Sequence, residues 1–213
     1  MNTSSCILCL CTKTSLVLKS DLFNYLACQE CGLYFAEPDE RLSPTEEKQR
    51  YDHHQNNPDD PNYRNFLNQL FEPLHRRLPP NQFGLDFGSG PGPALHLLFE
   101  EAGHRMKLFD PFYANDPSVF NEKYDFITAT ETVEHLFRPR EEFEKLWNIL
   151  KPEGYLGIMT LLLSNPDSFD SWFYRRDDTH VAFYQKKTFV WLADHLGADV
   201  EFIGDRVIIL TKK

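Results

Sequence analysis

Two pairs of cysteines near the start of the chain have the spacing of a metal site. Cys6 and Cys9 form one C-x2-C pair, and Cys28 and Cys31 form a second pair after 18 intervening residues. All five cysteines lie in the first 31 residues, a clustering typical of a metal centre rather than a disulfide framework. Four thiolates complete a zinc tetrahedron and leave no open position, so the predicted Zn²⁺ is structural. Cys11 is left over, although Cys9 and Cys11 could exchange roles, and the alternative is reduced cysteines that only pack.

A glycine-rich turn supplies the second chemical signal. Residues 83–92 read as a short apolar strand that runs into Gly88-Ser89-Gly90, and an apolar helical pattern follows. Glycines at such a turn let backbone N–H groups approach a ligand closely. The dinucleotide fingerprint G-x-G-x-x-G would need glycine or alanine at position 93, where this chain has Pro93.

The pattern D-x-G-x-G-x-G from Asp86 to Gly92 resembles the first motif of class I S-adenosylmethionine-dependent methyltransferases. In that family the turn wraps the methionine moiety, and an acidic residue at the end of the second strand takes both ribose hydroxyls. Asp110, 20 residues beyond Gly90, fits that position. The resemblance implies that S-adenosylmethionine contacts Asp86, Gly88, Ser89, Gly90, Asp110, Pro111, Thr130 and Glu131.

Residues 168–184 are predicted to border the acceptor pocket, because ligands of an open α/β sheet bind at the carboxyl ends of its strands. Methyl transfer to an O–H or N–H acceptor requires loss of a proton, for which a histidine is suited. His180 is the first candidate for this base and His135 the second, and the alternative for each is a structural role. The predicted substrate-binding residues are His53, His54, Arg175, Arg176 and Tyr184.

Two of these predictions have open alternatives. Arg175 and Arg176 could clamp an anionic acceptor or could be surface charges paired with the aspartates that follow them. The segment 51–56, which contains His53 and His54, could fold over the active site or could be a solvated loop.

The resemblance implies an α/β protein with a Rossmann-like, seven-stranded sheet, and the last two apolar runs of the chain suit the C-terminal antiparallel hairpin of that fold. A helix is expected to begin at Asp60-Pro61 and to kink or split at Pro73. Only 13 residues separate Asp110 from Tyr124, too few for a full helix and third strand. The acidic residue that contacts adenine in the family is therefore missing or replaced by Asp116.

The predicted domains are a zinc ribbon at residues 1–36, a linker or lid at 37–60 and the methyltransferase domain at 61–213. Between the cysteine pairs, two apolar runs flank Lys19-Ser20-Asp21 and indicate a hairpin. No apolar run is long enough for a membrane span, and the polar start is not typical of a secretory signal, so a cytoplasmic location is expected.

A formal net charge of −10 makes nucleic acid an unlikely partner. Taken whole, the sequence resembles bacterial zinc-ribbon methyltransferases grouped with quinone-biosynthetic methylases, which implies a small-molecule acceptor. Deoxysugar C-methyltransferases with a zinc module are a further alternative. The remaining alternatives are an RNA methyltransferase that uses the ribbon for substrate binding and a non-catalytic adaptor that binds the cofactor.

Overall fold

Two β-sheets organise the chain in a computed structural model, which describes residues 4–38, 42–52 and 56–213. The strands are β1 (Thr14–Lys19), β2 (Asn24–Cys28), β3 (Tyr34–Ala36), β4 (Phe83–Phe87), β5 (Arg105–Phe109), β6 (Tyr124–Thr130), β7 (Leu150–Met159), β8 (Ala182–Phe183), β9 (Ala198–Ile203) and β10 (Val207–Lys212). The α-helices are α1 (Pro44–Tyr51), α2 (Pro61–His75), α3 (Leu95–Glu101), α4 (Pro139–Ile149) and α5 (Lys186–Leu196).

The central sheet has the strand order β5-β4-β6-β7-β10-β9. Its first four strands are parallel, whereas β10 runs antiparallel to both β7 and β9. This arrangement confirms the Rossmann-like fold and the C-terminal hairpin. Strand β6 is buried along most of its length, as expected of a parallel strand covered on both faces.

The prediction of seven strands in this sheet is wrong for the residues that the structure describes, which form six. Strand β5 lies at the sheet edge, and the short segment after it forms the 3₁₀ helix Pro117–Asn121 instead of a helix and a third strand. Asp116 caps this 3₁₀ helix by accepting a hydrogen bond from the Ser118 N–H.

Helix α2 begins where the sequence predicts. The Asp60 side chain accepts a hydrogen bond from the Asn62 N–H, and Pro61 occupies the first turn, where its missing N–H has no cost. The apolar face buries Leu67, Leu70 and Leu74. The predicted split at Pro73 is wrong, because the helix runs on to His75 with the proline in its last turn. The alternative, a kink at Pro73, stays a prediction.

The N-terminal part forms a second, four-stranded sheet in the order β1-β2-β3-β8. Strands β1 and β2 make the predicted hairpin between the cysteine pairs. Strand β8 comes from the far end of the chain and pairs antiparallel with β3, so that Phe35 lies opposite Ala182. Leu8, Phe35 and Phe143 belong to one continuous buried cluster, so the two sheets share a core.

Helix α1 lies within the segment predicted as a linker or lid. Ser43 and Glu46 form a reciprocal capping box at its start, in which each side chain bonds the backbone N–H of the other. The boundaries 1–36, 37–60 and 61–213 stay predictions. Within the part of the chain that is described, none of the helices has the length and apolar character that crossing a bilayer requires.

Candidate active site

A cavity of about 900 Å³ opens at the carboxyl ends of β4, β5 and β6. Its volume lies within the usual range for a site that takes a small organic ligand. It brings together all eight residues predicted to contact the cofactor and both candidate histidines: Asp86, Gly88, Ser89, Gly90, Asp110, Pro111, Thr130, Glu131, His135 and His180.

The glycine turn after β4 requires glycine for two different reasons. Gly88 and Gly90 both have left-handed backbone conformations, with φ of 75° and 67°. A Cβ added to Gly88 would collide with the Thr132 side chain, whereas a Cβ added to Gly90 would meet no atom within 4 Å. The space beside Gly90 is therefore open to a ligand.

Asp110 connects the glycine turn to the end of β5. One carboxylate oxygen accepts a hydrogen bond from the Gly90 N–H at 2.9 Å. The other accepts from the N–H groups of Phe112 and Tyr113 at 2.8 and 3.1 Å. A carboxylate has about four acceptor positions, so this geometry leaves capacity for a ligand hydroxyl.

Asp86 lies beneath the turn and is 4% exposed. Its carboxylate accepts a 2.7 Å hydrogen bond from the hydroxyl of Thr128, which lies opposite Asp86 on the neighbouring strand β6. Burial raises the pKa of Asp86 to about 6. The hydrogen bond from Thr128 lowers this pKa, but by less than burial raises it.

Two glutamates that follow β6 share one tyrosine. The Tyr174 hydroxyl lies 3.1 Å from a Glu131 carboxylate oxygen and hydrogen-bonds Glu134 more closely still. Burial, and then the neighbouring Glu131 charge, raise the pKa of Glu134 to about 8. Burial likewise raises the pKa of Glu131, opposed by Arg206, whose guanidinium lies 3.8 Å from its carboxylate. Glu131 itself has a left-handed backbone, with φ of 46°.

The two candidate histidines are neighbours, with ring centroids 4.7 Å apart. Nδ1 of His135 lies 3.0 Å from the Thr179 carbonyl oxygen, and Nδ1 of His180 lies 2.6 Å from the Tyr174 carbonyl oxygen. A carbonyl oxygen only accepts, so both Nδ1 atoms carry hydrogen and both Nε2 atoms of the neutral rings carry a lone pair. Each ring can therefore accept a proton or bind an ion at Nε2.

Four buried side-chain oxygens around this site lack a hydrogen-bond partner among the described residues. They are Ser89 Oγ, Thr130 Oγ1, Glu131 Oε1 and Glu134 Oε2. Buried polar atoms in native proteins are nearly always hydrogen-bonded, and exceptions need an explanation such as a ligand or ion. Three of the four residues, Ser89, Thr130 and Glu131, line the cavity.

Three of the predicted substrate residues, Arg175, Arg176 and Tyr184, do not line the cavity. Arg175 donates hydrogen bonds to the Phe169 and Asp170 carbonyl oxygens, and Arg176 is exposed. Tyr184 is fully buried in the core, where its hydroxyl donates to the Val133 carbonyl oxygen. The charge pairing proposed for these arginines also differs, because Arg175 pairs with Asp170 and Asp178 pairs with Arg50. His53 and His54 lie outside the described residues.

Two tyrosines also line the cavity. Tyr63 in α2 was not singled out from the sequence as a site residue, whereas Tyr51 at the end of α1 begins the segment 51–56 that was expected either to fold over the active site or to be a solvated loop. The Tyr51 hydroxyl donates to Glu47, and its ring meets His135 edge-on at 5.3 Å. The capping box before Tyr51 was a readable signal for α1, whereas no local pattern indicates that Tyr174 would reach Glu134.

The four predicted zinc ligands come together away from this cavity. Sγ of Cys6 lies 3.6 Å from that of Cys31, and Sγ of Cys9 lies 3.3 Å from that of Cys28. All four sulfurs lie within 4.8 Å of one another. Cys11 is not part of the cluster; its sulfur accepts a hydrogen bond from the Lys13 N–H.

Solved structures resemble this chain in fold. A provisionally assigned methyltransferase from Bacillus halodurans is 19% identical, with a TM-score of 0.53 over 64% of this chain and 67% of that one. The magnesium protoporphyrin IX methyltransferase of Synechocystis PCC 6803, solved with bound SAH, is 9% identical, with a TM-score of 0.53 over 79% and 94%. An O-methyltransferase family protein from Burkholderia thailandensis is 13% identical, with a TM-score of 0.51 over 78% and 62%.

No curated protein sequence matches the chain. The profile of a methyltransferase domain family matches residues 41–201, which is most of the chain and includes every residue that lines the cavity. The chain therefore belongs to this methyltransferase domain family, and its fold is that of the class I S-adenosylmethionine-dependent methyltransferases.

Proposed function

We propose that this enzyme methylates a small-molecule acceptor that enters the cavity on the side of His135 and His180. The observation that carries the proposal is the set of buried oxygens without hydrogen-bond partners among the described residues, at Ser89, Thr130 and Glu131, all on the wall of one cavity. A bound ligand with several hydrogen-bond donors would satisfy them. The small size of the acceptor follows from the enclosed volume and from the net charge of −10, which disfavours RNA.

The cofactor residues are assigned by their place in the cavity. When bound, S-adenosylmethionine supplies a methyl group on a cationic sulfonium, which is attacked by the acceptor. The turn at Gly88, Ser89 and Gly90 offers backbone N–H groups and open space, and Asp110 offers its remaining acceptor capacity to ribose hydroxyls. Asp86 and Glu131 place carboxyl groups around the cavity, where an ionised form favours a cationic ligand.

The acceptor side is assigned to the residues that follow β6 and to residues 174–180. His135 and His180 both line the cavity, and a proton lost by the acceptor can go to Nε2 of either ring. The Tyr51 ring contacts His135 and lies 5.9 Å from the Phe112 ring, and both aromatic rings line the cavity and offer an apolar wall.

Binding of S-adenosylhomocysteine, the demethylated product, tests the cofactor assignment. Asp110→Asn should weaken binding at least about tenfold, because charge-assisted hydrogen bonds contribute roughly 1.5 to 3 kcal/mol each. Asp116→Asn is the matched control, since Asp116 also accepts a backbone hydrogen bond but does not line the cavity. Calorimetry that shows equal affinity for the folded Asp110→Asn variant and the wild type would remove Asp110 from the site.

The acceptor class can be found by incubation of the enzyme with methyl-labelled cofactor and a metabolite extract. Label in a small organic product would support the proposal. Label that appears only in added RNA or protein, or no turnover with any acceptor, would contradict it.

We further propose that Cys6, Cys9, Cys28 and Cys31 hold one structural Zn²⁺ and that residues 1–36 are a zinc ribbon. The fit is good because four sulfurs already lie within 4.8 Å of one another, and small domains of this size often need a metal to fold. Elemental analysis should show one zinc fewer in Cys28→Ser than in the wild type, and no loss in Cys11→Ser. Equal zinc content in all three proteins would exclude this site.

A further inference from the structure

We propose a second metal site, formed by Glu134, His135 and His180 at the wall of the cavity, which binds a divalent first-row transition metal. One ligand atom of each of these residues lies within 4.8 Å of those of the other two. The site is separate from the four cysteines and uses residues from two different segments of the chain. It goes beyond the proposed function, because an ion can bind here whichever acceptor the enzyme uses.

The histidine tautomers suit ligation. The Nδ1–H of His135 donates to the Thr179 carbonyl oxygen, and that of His180 donates to the Tyr174 carbonyl oxygen. Histidines that bind metals almost always donate their other ring N–H to a carbonyl or carboxylate oxygen, which fixes the ring and directs the remaining lone pair at the ion. The lone pair of each neutral ring therefore lies on Nε2, the atom that would bind the ion.

The carboxylate supplies an independent argument. Glu134 is fully buried. One of its oxygens accepts the Tyr174 hydrogen bond, and Oε2 has no hydrogen-bond partner within 3.5 Å among the described residues. An isolated buried carboxylate oxygen is costly, and a metal ion is one of the few partners that compensate for it.

The local charge balance points in the same direction. Glu131 and Glu134 both contact the Tyr174 hydroxyl, whose single proton can be donated to only one of them. Among the described residues, the Arg206 guanidinium lies 3.8 Å from Glu131. A divalent ion on Glu134 would compensate the charge of the ionised carboxylate.

Asp177 marks a further position beside the site. Its Oδ1 accepts from both the backbone N–H and the hydroxyl of Thr179, and its Oδ2 lies 3.9 Å from Nε2 of His180. That separation is too long for a hydrogen bond and leaves room for an ion or a metal-bound water. Two imidazoles and one carboxylate favour zinc, iron, cobalt or manganese, whereas Mg²⁺ and Ca²⁺ prefer oxygen ligands alone.

Ion binding would change the role of the two histidines. A nitrogen that ligates a metal cannot also accept a proton, so neither ring would act as the general base while the ion is bound. If the proposed function is correct, the open coordination positions would face the cavity and would hold an oxygen atom of the acceptor. This last consequence rests on the proposed function, whereas the ion site does not.

Titration with Co²⁺ tests the site. The full chain, with its cysteine site already loaded with Zn²⁺, should take up one further equivalent of Co²⁺, whose visible absorption lacks thiolate-to-cobalt charge-transfer bands. Glu134→Gln and His180→Asn should each weaken this binding by more than about tenfold, since even loss of an outer-shell partner costs roughly 10- to 100-fold. His195→Asn is the matched control, because His195 also contacts a glutamate, Glu144, but at the surface.

The wild type alone can overturn the proposal. Absence of a further equivalent of Co²⁺, or Co²⁺ spectra with thiolate bands only, would exclude the site even if the variants fold poorly. Equal binding by Glu134→Gln and the wild type, or its loss in His195→Asn, would also exclude it. Calorimetry with S-adenosylhomocysteine on the same samples keeps the two hypotheses apart, because failure of the ion site leaves cofactor binding intact.

Discussion

Asp86 shows how a single buried carboxyl group can be placed for function at a cost in stability. It is almost fully buried and has one side-chain hydrogen-bond donor, Thr128. Burial raises its pKa from 3.8 to about 6. The folded protein therefore binds more protons than the unfolded chain between about pH 4 and pH 6, so the Asp86 contribution to stability falls as the pH rises through this window and stays low above it.

Asp86→Asn should therefore stabilise the protein at pH 7. The expected gain is on the order of 2 kcal/mol, since one pKa unit corresponds to about 1.4 kcal/mol. Melting temperatures from pH 4 to pH 7 should show the largest difference between variant and wild type at pH 7 and little difference at pH 4. Asp205→Asn, at an exposed position, is the control. A stability difference that does not change with pH would contradict the raised pKa. Affinity for S-adenosylmethionine should fall in the same variant.

Individual residues differ in how far the sequence reveals them. The cysteine pairs and the pairing of the glycine turn with Asp110 are readable because fixed spacing carries their chemistry. The contact of Tyr174 with Glu134 could not be predicted from the sequence. The two residues are 40 positions apart, and the loop that contains Tyr174 has no periodic pattern. The same limit applies to Tyr184, whose aromatic ring suits a substrate pocket as well as the core in which it lies.

At the scale of elements, the turn between β4 and α3 allows the effect of backbone strain to be measured apart from the effect of ligand contact. Gly90 and Gly103 both have positive φ, and a Cβ on either would meet no atom within 4 Å. Only Gly90 lines the cavity. Any difference between alanine substitutions at these two positions must therefore come from a ligand beside Gly90.

We expect Gly90→Ala and Gly103→Ala to destabilise the free protein by similar amounts, about 1 kcal/mol each, from the left-handed backbone alone. Only Gly90→Ala should also lose affinity for S-adenosylhomocysteine, because its methyl group would occupy the ligand's space. Thermal melting and calorimetry on both variants measure the two effects. Unchanged affinity in Gly90→Ala would indicate that the cofactor lies elsewhere in the cavity.

Most elements of the central sheet are predictable, because apolar runs and helical periodicity mark β4, β6, α4 and the C-terminal hairpin. The number of strands is not predictable, although the short segment after Asp110 already indicates that one connection in the sheet is shorter than usual. Strand β8 escapes prediction for a physical reason. Two residues carry no periodicity, and Ala182–Phe183 is a strand only because β3 lies beside it.

Across the whole molecule, the N-terminal sheet is joined to the acceptor side of the cavity by a short series of hydrogen bonds. The Ala36 N–H donates to the Val181 carbonyl oxygen, and the Val181 N–H donates to the Glu134 carbonyl oxygen, at 2.9 and 2.8 Å. His180 directly precedes Val181. Within the described part of the chain, the glycine turn has no such direct hydrogen bond to the N-terminal sheet, so the two sides of the cavity should respond differently to loss of the proposed zinc ribbon.

Removal of a proposed zinc ligand in Cys28→Ser should therefore loosen residues 180–184 more than residues 84–90. Hydrogen exchange followed by mass spectrometry should show faster exchange at the Val181 amide and a smaller change at the glycine turn. Binding of S-adenosylhomocysteine should be largely retained, and Cys11→Ser should behave as the wild type. Equal loss of protection on both sides would show that the ribbon supports the whole core rather than the acceptor side.

The pairing of β3 with β8 also has a consequence for synthesis on the ribosome. Phe35 leaves the exit tunnel long before its partner Ala182, since nearly all of the methyltransferase sequence lies between them. The hairpin of β1 and β2 can form early, but β3 keeps an unpaired edge until the chain is almost complete, and such edges favour aggregation. We expect the cysteines of the nascent chain to bind zinc early and so to keep this edge ordered. Growth with little zinc would then lower the yield of folded enzyme more than it lowers the rate of synthesis.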